Sequence, residues 1–172
     1  MSDQTLRELV YGKGAHVDPV ACVEDISAEL ATRKVAGYPH SIWQIVEHMN
    51  YWMDFEIAKI AGKNPQYPDK AIESWPPHPE GANEGRPSEV QWSTVRQRFA
   101  ELLARLAALA DADSATLDKV VGDVDVMKNS RQNSVHTTLW QITAHNSYHA
   151  GQIALLRRQA GAWPPERGGD TW

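Results

Sequence analysis

Chemistry in this chain is concentrated in histidines that recur at one register. Ser41 to Tyr51 reads Ser-Ile-Trp-Gln-Ile-Val-Glu-His-Met-Asn-Tyr, and Thr138 to Tyr148 reads Thr-Leu-Trp-Gln-Ile-Thr-Ala-His-Asn-Ser-Tyr. Trp43/Trp140, Gln44/Gln141, Ile45/Ile142, His48/His145 and Tyr51/Tyr148 are identical pairs. One position further on, Trp52 gives way to His149, so the second copy carries His145-x-x-x-His149. Two histidines four apart on a helix share a face and can aim at one point. With His48 from the other copy they make three imidazoles, the ligand count of a metal centre that keeps a position open.

The spacing also says which way these rings point. Ile142, His145, His149, Gln152 and Leu156 follow a buried seam, as do Ile45, His48, Trp52 and Phe55. A buried neutral imidazole must satisfy one donor and one acceptor nitrogen, which is costly for three rings in one core layer. A divalent cation gathers them. The bland reading of any single histidine here is a hydrogen-bonded core residue; the conjunction of pair, internal copy and seam favours the metal.

Four helical segments are predicted to hold these residues. The first starts at Asp18-Pro19, an N-cap with proline behind it, shows Val23, Ile26 and Leu30 on one face, and stops near Gly37. The second opens with Ser41-x-x-Gln44 and runs to about Gly62, the third with Ser88-x-x-Gln91, the fourth with Thr138-x-x-Gln141, ending before Gly161. In the third, Val95, Phe99, Leu102, Leu106 and Leu109 keep helical spacing. Val120 to Met127 alternates weakly, but Gly122 and two aspartates argue against a central strand. Helices without a sheet give an all-α four-helix bundle. Lys63 to Pro87 is long and carries Pro65, Pro68, Pro76, Pro77 and Pro79. At ~3 Å per extended residue it can travel the length of a ~30 Å helix, permitting an up-down-down-up order with this Pro-rich crossover between helices two and three.

The 172 residues are expected to form a single domain, residues 1–172, with a core over about 16–160. The tail, 161–172, is expected to pack back on the bundle or on a partner, because Trp163 and Trp172 are costly to leave in water. The net charge of −5 comes without a block of Lys or Arg, which speaks against nucleic acid. No apolar run approaches the ~20 residues of a membrane span. One cysteine, Cys22, and no secretory pattern at the N-terminus point to the cytoplasm, with Cys22 itself a small core residue.

A histidine following a Trp-Gln start in the second helix, with His-x-x-x-His in the fourth and a long crossover between, resembles the DinB/YfiT-like superfamily over roughly residues 16–160. The resemblance implies an up-down-down-up bundle, frequent pairing into a homodimer, and a divalent metal ion held by His48, His145 and His149. It also implies small-molecule chemistry, since related members include thiol S-transferases, a thiol-dependent isomerase and hydrolases.

Three neutral imidazoles do not choose among Zn, Ni, Mn and Fe. An open position on any of them can lower the pKa of a bound water or hold a low-molecular-weight thiol as thiolate. Thiol transfer or isomerisation is favoured because no evident general base accompanies the ligands; metal-dependent hydrolysis is the alternative. A non-catalytic, dimerising bundle clamped by the ion is a third reading, which needs a fourth ligand from His78, Glu47 or the tail. Gln44 and Gln141 are explained by capping, Tyr51 and Tyr148 by packing, and Trp43, Trp52 and Trp140 as core. Glu47 falls on a solvated face, Asn50 and Asn146 are unassigned, His16, His40 and His136 are ordinary exposed histidines, and Arg167 is an anion-binding candidate.

Overall fold

The computed structural model describes residues 3–77, 87–121 and 133–169. Within them lie seven α-helices and no β-strand: α1 (Gln4–Val10), α2 (Ala21–Glu24), α3 (Ala28–Thr32), α4 (Ile42–Ile60), α5 (Glu89–Ala110), α6 (Ser114–Leu117) and α7 (Val135–Gln159). A single 3-10 turn, Ala71–Ser74, sits in the crossover. The all-α helical bundle is as expected. No helix among the described residues is long and apolar enough to cross a membrane. His78 and Trp172 fall outside the described residues, as does the 122–127 part of the weakly alternating stretch; Val120 makes one antiparallel bridge to Ser134.

Two of the three capping boxes form. Ser41 Oγ accepts from Gln44 N–H while Gln44 Oε1 takes Ser41 N–H, and Ser88 and Gln91 do the same for α5. The third does not. Ser134 caps α7 by accepting from Thr137 N–H, because Val121 N–H bonds Asn133 C=O and Val135 N–H bonds Lys119 C=O, fixing the chain one turn before Thr138. Thr138 is therefore inside the helix and Gln141 is exposed.

The single first helix is also corrected. It is replaced by α2 and α3, broken at Asp25 to Ser27, and α1 precedes them. The break has a cause in hydrogen bonding. A continuous helix would use the carbonyls of Cys22, Glu24 and Ile26 internally. Here Cys22 C=O accepts from Arg157, Glu24 C=O from Arg96, and Ile26 C=O from Trp92 Nε1 at 2.8 Å. Ser27 then caps α3. The unexpected α1 begins at Asp3, whose carboxylate accepts from Leu6 N–H, and it buries Leu6 and Val10 against α5 and α7.

The long helices pack in one layer each around Met49, Met53, Trp92, Phe99, Leu103, Leu139 and Ile153, all fully buried. Along α4 and α5 the contacts advance together: Asn50 donates to Val95 C=O, and Asp54 pairs with Arg98 one turn later. Between α5 and α7 they run oppositely. His136, at the start of α7, bonds Asp3, whose N–H bonds Ala110 C=O at the end of α5. Arg157, near the end of α7, lies with Asp25, next to the Ile26 that holds Trp92 at the start of α5.

Cys22 is fully buried, as expected. Arg157, near the C-terminal end of α7, is only 2 % exposed and grips Asp25 with two bonds of 2.6 and 3.0 Å. Burial works against the Asp25 carboxylate, but Arg157 and the Glu166 N–H outweigh it and hold its pKa below the ordinary value. Trp163 packs on the core under Arg158, and Arg167 pairs with Glu24 and Asp18, which uses up the proposed anion-binding charge.

Candidate metal centre

His48 sits midway along α4, and His145 and His149 lie one turn apart on α7. Packing of these two helices brings the rings together. His145 Nε2 is 3.2 Å from His48 Nε2 and 3.1 Å from His149 Nε2. One ring nitrogen from each residue lies within 4.8 Å of both others, and this is the only such group of three potential ligands among the described residues. His48 and His149 are 6 % and 4 % exposed; His145 is half-buried.

Hydrogen bonds at the opposite ring nitrogen decide what the converging nitrogens offer. His48 Nδ1 lies 3.0 Å from Ser74 C=O, which can only accept, so Nδ1 carries the proton and Nε2 a lone pair. His149 Nδ1 donates to Gln152 Oε1 at 2.7 Å with the same result. His145 Nδ1 has a longer contact, 3.4 Å, to Asn146 Oδ1. Without a cation, the His145 ring can give at most one proton at Nε2. At least one pair of lone pairs would then face each other at about 3 Å in a buried site.

A cation resolves that conflict. Ring nitrogens at 2.0–2.1 Å from a common ion stand about 2.9 Å apart for ligands at right angles and about 3.4 Å apart for tetrahedral ones. The observed 3.1 and 3.2 Å fall between these limits. Protonation state agrees. Burial, opposed by the Ser74 carbonyl and reinforced by the other imidazoles, lowers the His48 pKa to about 4. Burial lowers His149 to about 4 against the Gln152 bond, and it lowers His145 as well. All three rings are neutral at pH 7, the form that ligates.

The crossover supplies the outer support of His48. The turn Ala71–Ser74 presents Ser74 C=O and Oγ to His48 Nδ1, and Gln44 Nε2 donates to Pro76 C=O at 2.9 Å. Gln44 thus caps α4 and ties down the loop with one side chain. Trp75 lies flat between two imidazoles, 3.8 Å from the His48 ring and 3.7 Å from His40, tilted by 7° and 9°. Neither Trp75 nor Ser74 was singled out from sequence. Tryptophan between prolines in the crossover was the available signal, and nothing in it specified a histidine partner.

Other candidates resolve as follows. Glu47 is not among the converging groups; half-buried rather than solvated, its carboxyl is pushed up by burial against the opposing influence of Asn50 and Arg98. Asn50 is committed to Val95 C=O on α5. Tyr51 and Tyr148, expected to pack, are 36 % and 66 % exposed; Tyr148 borders the site, its ring 5.1 Å from His149. Trp43 and Trp52 pack against the core, while Trp140 is 37 % exposed, with its indole nitrogen 3.1 Å from His136 Nε2. His16 bonds Ser147 and Val17 C=O, His136 bonds Asp3, and His40 is the Trp75 stacking partner, so none is merely an exposed residue.

Comparison with known proteins agrees with this geometry. The family model described as the DinB superfamily matches residues 19–153, a span that contains every residue of the triad and its support. Searches of curated proteins and of solved structures returned no match.

Proposed function

Because the chain belongs to the DinB superfamily, we propose that it is a metal-dependent enzyme whose divalent ion is held by His48, His145 and His149 and whose chemistry is thiol-dependent transfer or isomerisation of a small molecule. The observation that carries this reading is the convergence of three imidazoles, two of which, His48 and His149, already spend their Nδ1 protons on other acceptors. Zn, Ni, Mn or Fe all suit such imidazoles. When bound, the ion supplies Lewis acidity toward a ligand in its open position, holding a thiol in its nucleophilic form.

The chain's own residues do the rest. Ser74 and Gln152 fix two rings in the ligating tautomer, Trp75 covers one face of His48, and Tyr148 stands beside His149. Thiol chemistry is favoured over hydrolysis because, among the described residues, no carboxylate joins the cluster to accept a proton from water, as a general base would. A structural clamp is disfavoured because a closed site has four protein ligands, and among the described residues only three converge. A cytoplasmic setting, where low-molecular-weight thiols are reduced, belongs to the same proposal; the sole cysteine, buried Cys22, accords with it.

Metal content of untagged protein, followed by assay with a low-molecular-weight thiol and chlorodinitrobenzene, tests the reading. Conjugation that requires the ion and disappears in His149→Ala is the expected result. Ester or amide cleavage without thiol would replace the transferase by a hydrolase. A stoichiometric ion whose removal unfolds the protein, with no turnover of either kind, would leave only the clamp.

A further inference from the structure

We propose that Ser147 and His16 form a second reactive site, independent of the metal: a serine hydroxyl activated by an imidazole, which takes an acyl group from an activated ester. Folding brings the two together from 131 positions apart, with His16 Nε2 2.8 Å from Ser147 Oγ. On its other side, His16 Nδ1 lies 2.8 Å from Val17 C=O. A carbonyl only accepts, so Nδ1 carries the proton of the neutral ring and Nε2 turns a lone pair toward the serine. The hydroxyl then donates to Nε2. Thr143 C=O, 2.9 Å from Ser147 Oγ, competes for the same hydrogen, but a hydrogen turned there would leave two lone pairs facing each other at 2.8 Å. Nucleophile, base and a third group that orients the base are thus in place.

The loop between α1 and α2 is shaped to hold that ring. Gly12 has φ +73°, and a Cβ there would stand 2.6 Å from both His16 Nδ1 and the His16 carbonyl oxygen, so only glycine lets the imidazole lie where it does. Gly12 C=O accepts from the N–H groups of Ala15 and His16, at 2.9 Å each, and closes the turn that carries the imidazole. Leu6 and Val10 anchor α1 in the core and fix where the loop begins. These features hold the ring more closely than an ordinary exposed histidine requires.

Ser147 can be approached. It and His16 are half-buried, and its neighbours on the open side of α7 are small: Ala144, three residues before, and Gly151, four after, are both exposed. Gly151 sits inside a helix, where glycine costs about 1 kcal/mol against alanine, yet a Cβ there would meet nothing within 4 Å. Packing within the chain does not call for glycine; clear access to the neighbouring hydroxyl does. Size and charge give the ligand class. Lys13, the cation of the Gly12–His16 loop, is paired with Glu8 at 2.7 Å, so this loop offers no free charge to a phosphoryl group. The space beside Ala144 and Gly151 suits a short, neutral acyl chain. In the step, Ser147 Oγ bonds to the ester carbonyl carbon while His16 Nε2 takes the hydroxyl proton. The ester C–O bond then breaks, and that proton passes to the leaving oxygen. Position 147 lies roughly 160° from His145 and His149 around the helix, so the site stands on the far side of α7 from the metal ligands.

Reaction of the full chain with p-nitrophenyl acetate, with and without a chelator, tests this. A burst of one equivalent of p-nitrophenol is expected, with the acetyl group located on Ser147 by peptide mass spectrometry. Its stoichiometry and its indifference to the ion separate it from turnover at the metal centre. Ser147→Ala should abolish labelling of that peptide. His16→Gln should slow it by about 100-fold or more, the range of a lost general base. Gly151→Leu, which extends into open space and favours the helix, should slow it comparably while helicity and ion stoichiometry stay unchanged. That variant leaves both reacting residues in place, so it decides the matter if His16→Gln unfolds. Acetyl groups found only on lysines or the N-terminal amine, with Ser147 unmodified, would overturn the proposal. So would labelling at the native rate in a folded His16→Gln or in Gly151→Leu.

Discussion

Acid should destabilise the metal-free protein along a curve set by two buried rings. His48 and His149 have pKa values of about 4 in the fold, against 6.5 for an unperturbed histidine. A group whose folded pKa is depressed binds protons more readily when unfolded, so its contribution is complete above 6.5 and is lost as pH falls toward 4. At pH 5 the unfolded ring is almost fully protonated and the folded ring hardly at all, a difference worth about 2 kcal/mol per ring. The two together give about 4 kcal/mol, a large part of the 5–15 kcal/mol that stabilises an ordinary domain. Burial lowers His145 in the same direction. Urea unfolding of metal-free protein at pH 7.5, 6 and 5, compared with His48→Gln/His149→Gln, isolates the effect. The native sequence should lose stability steeply between pH 6.5 and 5, and the double variant should lose about 4 kcal/mol less. Saturating metal ion should raise the native curve without flattening it, because ligated rings stay unprotonated in the fold while the unfolded rings still take up protons. Parallel curves for the native and doubly substituted proteins would show that these rings are not held neutral by burial, and the argument for a preformed ligand set would fail.

Other perturbations probe separate parts of the structure. His149→Ala should remove stoichiometric ion binding, read by calorimetric titration, since two imidazoles are too few to retain it. Trp75→Ala should lower ion affinity about 10-fold or more by releasing the ring of His48, as losses of outer support generally do; an unchanged dissociation constant would assign Trp75 to packing alone. Asp25→Ala strands the buried Arg157 and should cost about 3–5 kcal/mol in urea unfolding while leaving ion stoichiometry intact. Ser41→Ala removes the cap of α4 and should cost about 1 kcal/mol by the same measurement.

Local signals in the sequence marked helix starts and inward-facing positions. Ser41 with Gln44 and Ser88 with Gln91 marked two helix starts because a capping box is a contact between residues three apart, needing no tertiary knowledge. Seam spacing sent His48 and His149 inward for the same reason: helical periodicity is local. Where a competing partner came from far along the chain, the reading failed. Thr138 with Gln141 is a sound capping pattern, but the Val120–Ser134 pairing started the helix earlier. Asp18-Pro19 is a sound helix start, yet Arg157, Arg96 and Trp92 claimed carbonyls that a continuous helix would have kept.

By itself, then, the sequence determined an all-helical chain, the three imidazoles and the faces they occupy, because each of those is fixed by spacing within a few turns. Only the tertiary structure decided that the nitrogens meet at 3.1–3.2 Å with their Nδ1 protons turned to Ser74 and Gln152, and that Trp75 lies between His48 and His40. It also decided that Arg157 is a buried anchor. Those outcomes depend on which helices pack side by side and where the crossover returns, and no periodicity along one segment encodes contacts between residues far apart in the chain.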